Sequence, residues 1–145
     1  MSTAVTQAVP ASRDSTTFAN LSEFAGRVLL SLLFLASGVS KLGGYAATAA
    51  YMQSQGVPGA LLPLVLVTEI GGALAVIAGW HTRVVAFLLA GFTVLTAVLF
   101  HNNFADQIQM IMFLKNVSIA GAFLLLVGRG AGAWSLDQRR AKHGS

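Results

Sequence analysis

The chain has no cysteine. That excludes disulfides, thiolate metal sites and any thiol redox step carried by the protein itself. Charge is nearly as scarce: 10% of the 145 residues are Asp, Glu, Lys or Arg, against roughly 25% in soluble domains. Only five residues are acidic. Other signals are missing too. There is no nucleophile–base signature, no phosphate-binding glycine loop and no dinucleotide fingerprint. The opening MSTAVTQAVPASRDSTTFAN has no basic start followed by an apolar block, so it does not read as a cleavable signal. Its polar composition predicts a flexible tail over residues 1–20.

What is present is apolar: 55% hydrophobic residues and a mean hydropathy of +0.72. Four runs are long enough to cross a bilayer, namely Phe24–Leu42, Leu61–Gly79, Val84–Phe100 and Ile108–Val127. A soluble fold would leave almost nothing to cover four such helices. A β-barrel needs alternation, which FLLAGFTVLTAVLF lacks. The expected fold is therefore all-α, an antiparallel up-down four-helix bundle in a membrane. Asn20 and Glu23 have the spacing of a capping box at the start of the first span. Residues 21–137 form the transmembrane domain in this reading, and 138–145 a basic tail.

Positive charge predicts the orientation. With the amino terminus in the cytoplasm, Arg13, Arg27, Arg83, Arg129, Arg139, Arg140 and Lys142 fall on or near that side. Lys41 alone lies at the outer face, and Lys115 lies within a span. Both termini are thus expected inside. The basic tail suits attraction to anionic lipid. The sequence pI is about 10.1, yet the charge is dispersed with no aromatic-basic pattern, so nucleic acid is not an expected partner. In the outer loop GGYAATAAYMQSQGVPGA, Tyr45, Thr48, Ala49 and Met52 recur at helical spacing, which suits a segment along the outer membrane surface.

Glu69 interrupts the run VLVTEIGGALAVIAG, roughly 12 Å into its span at 1.5 Å per residue. Lys115 falls at nearly the same depth in the fourth span, which runs in the same direction. Either charge alone at the bilayer centre costs ~2.5–3.5 kcal/mol, so an ion pair between the two is the first expectation. On the first span, Arg27, Ser31, Phe34, Gly38 and Lys41 fall within about 40° of one line and should face the bundle interior. Arg27, Lys41 and Lys115 outnumber Glu69. The excess is relieved if Arg27 and Lys41 reach opposite interfaces, if Lys115 loses its proton, or if an electron-rich ligand such as a quinone oxygen or lipid phosphate completes the balance. His101, Asn102, Asn103, Gln107 and Gln109 form a polar mouth at the outer end. His101 and Asp106 supply too few ligands for a metal site, and Thr93 and Thr96 are expected to bond back to their own helix.

The ordered set GRVLLSLLFLASGVSKLGGY, QGVPGALLP, TEIGGALAVIAGWHTR and LFHNNFADQIQMIMFLKNVSIAGAFLLLVGRGAGAWSLD resembles the DoxX family of small bacterial and archaeal integral membrane proteins. The likeness runs from about Leu21 to Asp137. It implies four transmembrane helices and, in bacteria, an inner-membrane location. It places Arg27, Lys41, Glu69, His101, Lys115 and Asn116 at the family's polar positions and implies no catalytic role for any of them. Family members are linked to quinol oxidase and thiosulfate:quinone chemistry and to oxidative or electrophile stress.

Three functions follow as expectations. One is a redox accessory subunit with a quinone or other lipophile near Lys115 and Glu69, its electrons coming from partner redox proteins, because this chain carries no cofactor of its own. Another is a scaffold whose polar core only sets helix register. The third is a small permease, which four helices would need a homo-oligomer to build.

Overall fold

The computed structural model describes residues 13–144. Residues 1–12 of the expected tail, and Ser145, lie outside the described residues. Helix is the regular structure throughout the described residues: α1 (Arg13–Gly43), α2 (Tyr45–Ser54), α3 (Gly59–Ala78), α4 (Thr82–Phe100), α5 (Gln107–Arg129) and α6 (Leu136–His143). Four of them, α1, α3, α4 and α5, are long and apolar enough to cross a membrane. The all-α membrane bundle expected from the sequence is the fold.

The start of α1 differs from the expectation. The helix is already under way at Arg13, so the Asn20–Glu23 capping box does not form. Capping needs free N–H groups, and Asn20 lies beyond the first turn, where these groups are bonded within the helix. At 31 residues, α1 measures about 46 Å, longer than the ~30 Å hydrocarbon layer.

All four spans supply the core. Phe34 of α1, Ala73 and Val76 of α3, Ala86, Leu89 and Ala90 of α4, and Ala120 and Phe123 of α5 form one buried cluster. Phe34 and Phe123 meet edge to face at 5.4 Å. Along the rest of their length, α1 and α5 approach each other less closely than the other neighbouring spans. Thr93 and Thr96 bond back to the carbonyls of Leu89 and Thr93, as expected.

The outer-loop segment is helical, as its spacing predicts. It packs on the end of the bundle, with Met52 buried against Leu62 and Leu66 of α3 and Tyr51 stacked on Phe100 at 5.8 Å. At the other end, Gly79 (φ 70) and His81 (φ 45) reverse the chain in the left-handed region between α3 and α4. A side chain at Gly79 would collide with Ser135 and Arg27, so close approach and dihedral both require glycine there.

Candidate functional site

Glu69 is 5% exposed and sits in a π-helical turn, Val67–Gly71, inside α3. Such turns are rare and are frequent at functional sites. Its carboxylate accepts from Lys41 Nζ at 2.8 and 2.9 Å and from Ser37 Oγ at 3.2 Å. Lys41 Nζ also donates to Ser37 Oγ, closing a triangle between α1 and α3. Gly38 makes this approach feasible: an added Cβ would lie 2.5 Å from the Ile70 Cγ1 atom.

The expected Glu69–Lys115 pair is therefore not formed. Equal depth did bring the residues to one region, but side-chain direction decided the partner. Helical side chains lean toward their own N-terminus. Lys41, near the end of α1, leans back into the bundle, while Glu69 leans out toward it. Lys115 leans the same way as Glu69, and its ammonium meets the Met112 sulfur at 3.3 Å. It lies exposed on α5, whereas its neighbour Asn116 is buried. Lys41, expected to reach toward an interface, has its ammonium engaged by Glu69 and Ser37.

A cavity of about 260 Å³ adjoins the triangle. Its polar wall brings together Ser37, Lys41, Glu69, His101, Lys115 and Asn116, with Thr93 and Thr96 beside them. The rest is apolar or aromatic, including Phe34, Tyr51, Phe92 and Phe100. Leu33, Tyr51 and Lys115 are exposed, so the cavity opens sideways between α1 and α5. His101 Nδ1 pairs with Gln109 Oε1 at 2.9 Å, and Asp106 caps α5 by accepting from the Ile108 and Gln109 N–H groups. Five of the six expected site residues thus line one cavity. Ser37 was missed, although it stands one helical turn before Lys41.

Arg27, the sixth, belongs to the other end. It is 2% exposed, so its charge is met by protein groups rather than by solvent. Its guanidinium donates to the Val76 and Ile77 carbonyls at 3.2 and 3.0 Å and to the Trp134 carbonyl. The Val76 and Ile77 carbonyls lie in the last turn of α3, where a positive charge suits the helix C-terminus, and Val76 also accepts from the Gly79 N–H at 3.1 Å. The Phe24 ring lies 5.5 Å from the guanidinium carbon. Next to this knot, Asp137 accepts from the His81 and Thr82 N–H groups at 2.7 and 2.8 Å, tying α6 to the start of α4. Burial pushes its carboxyl upward, but those hydrogen bonds and the nearby His81 outweigh burial and hold it below the usual carboxylate range.

Residues 23–102 match the sequence model of the DoxX family. Among known proteins, the chain is 51% identical over 112 residues to Inner membrane protein YqjF of Escherichia coli K12, covering 77% of this chain and 86% of that one. It is 41% identical over 120 residues to Inner membrane protein YphA of the same organism, covering 78% and 86% respectively. No solved structure matches it.

Proposed function

Since the chain belongs to the DoxX family and is an inner-membrane protein, we propose that its cavity holds a small lipophile with an electron-rich oxygen, a quinone foremost, within a redox or stress-response system. The observation that carries this reading is a cavity with one charged and polar wall facing apolar and aromatic side chains. Lys41 and Glu69 cancel formally, and Lys115 adds a further cation to the wall. A ligand oxygen near Lys115 and Asn116 would answer it. The volume lies near the lower end for ligand pockets, about 300 Å³. It suits one ring-sized head that enters from the bilayer and leaves its tail there. With no cysteine on the chain, electrons would come from partner redox proteins. A second copy would cover the exposed Lys115–Ser118 face of α5.

The test is equilibrium binding of a short-chain quinone to the purified protein in nanodiscs. Lys115→Met and Asn116→Ala should weaken binding by on the order of ten-fold while the melting temperature holds, consistent with losing one hydrogen bond to a charged group. No saturable binding to the wild type would sink the proposal.

One observation favours the scaffold reading. The Lys41–Glu69–Ser37 triangle is closed on itself, so it can fix the register of α1 on α3 with no ligand present. In that case Lys115→Met would be silent in every assay.

A further inference from the structure

At the end opposite the ion pair, two surfaces meet between α1 and α5. One is a polar pocket of about 610 Å³ beside the α5–α6 loop, with Glu23, Arg83 and Arg129 in its wall. The other is an apolar groove of about 240 Å³ passing Gly26, Leu30, Ala122 and Leu125. Glu23, Arg129 and Gly130 line both, so pocket and groove adjoin. The small residues Gly26 and Ala122 keep the groove open, and the Phe34–Phe123 contact closes the seam nearer the middle of the bundle. A polar head space above an apolar channel is the shape of an amphiphile.

The charges narrow the choice. The Asp137 carboxylate is committed to two backbone N–H groups, the Arg27 guanidinium to carbonyls, and Arg140 pairs with His81. Two cations and one anion of the wall make none of these hydrogen bonds: Arg83, whose guanidinium packs against Gly130; Arg129, the residue before Gly130; and Glu23, which packs against Gly132 and attracts Arg27 through space. Guanidinium groups suit phosphate, and basic pockets between transmembrane helices are known lipid headgroup sites. A carboxylate in the same wall disfavours a headgroup with only negative charge. We infer that this end binds one zwitterionic aminophospholipid, its phosphate held by Arg83 and Arg129, its ammonium at Glu23 and one acyl chain in the groove.

The experiment is native mass spectrometry of the full chain released from nanodiscs of equal phosphatidylethanolamine and phosphatidylglycerol, with matched acyl chains. One phosphatidylethanolamine should stay bound per chain. Arg129→Gln should lower that retained fraction on the order of ten-fold, the loss of a charge-assisted contact. Arg139→Gln, on the exposed tail, should leave it unchanged. Glu23→Gln should shift the preference toward phosphatidylglycerol. Circular dichroism checks each variant; if Arg129→Gln does not fold, Arg83→Gln carries the same prediction. Preferential retention of phosphatidylglycerol by the wild type overturns the inference. So do equal effects of Arg129→Gln and Arg139→Gln, which would mean diffuse attraction by the basic end, or no lipid retained at all.

Discussion

Lys41 reaches Glu69 because their stems lean toward each other, and Ser37 fills the remaining corner of the carboxylate. The Lys41 side chain is 26% exposed and that of Glu69 7%, so the carboxylate carries most of the burden of desolvation. Glu69→Gln should lower stability by about 1–3 kcal/mol, since it leaves a polar group without its charged partner. The double variant Lys41→Met with Glu69→Leu should recover much of that loss, as buried pairs replaced by apolar residues often do. Unfolding of the single and double variants in detergent measures the coupling. Arg27→Met should cost at least about 1.5–3 kcal/mol, the worth of one hydrogen bond to a charged group, because three carbonyls lose the guanidinium together and only Val76 keeps a second donor, the Gly79 N–H. The sequence revealed the inward face of the first span through the spacing of Arg27, Ser31, Phe34, Gly38 and Lys41, which are buried or nearly so. It did not reveal which cation meets Glu69. Depth along a helix fixes one coordinate of a side chain, and the partner also depends on rotation about the axis and on lean.

Among the elements, α3 departs most from a plain helix. Its π-helical turn inserts an extra residue into the turn that carries Glu69, and Ile70 packs beside Gly38. Nothing in VLVTEIGG announces that turn, because periodicity over five residues cannot separate 3.6 from 4.4 residues per turn. The α2 helix was legible from its spacing, whereas its docking through Met52 and Tyr51 depended on partners far along the chain. The α6 helix makes a prediction of its own. The carboxyl of Asp137 is held below its ordinary value in the folded protein. Its contribution is therefore full above the unfolded value, about 3.9, and is lost as pH falls through the folded value. Hydrogen-exchange protection across Leu136–His143, taken relative to the intrinsic rate at each pH, should fall as the medium is acidified below about pH 4. Asp137→Asn should release the helix at neutral pH, at a cost of about 0.5–2 kcal/mol, comparable to losing a cap.

At the scale of the molecule, the middle of α1 around Arg27, the α3–α4 turn and the loop after α5 meet in one polar knot, and the His101 cavity lies at the other end of the bundle. Charge bias predicts that the arginine-rich end faces the cytoplasm. Because the native chain has no cysteine, a single Asn103→Cys should react with an impermeant thiol reagent from outside the cell, and Gly144→Cys only after the membrane is opened. The four-span bundle was legible because apolar runs of this length have few other uses. The cavity was legible only as a set of polar residues, because its walls come from five helices, α1 to α5, that sequence order does not bring together. A lipophile is proposed to occupy the space beside Lys41, Glu69 and Lys115. Mass spectrometry of small molecules co-extracted with the protein in native nanodiscs tests this most directly, with Lys115→Met as the comparison. The account predicts a quinone or similar lipophile at one per wild-type chain, lost from the folded variant. A wild-type cavity that carries no such molecule would contradict it and leave the ion pair a structural device.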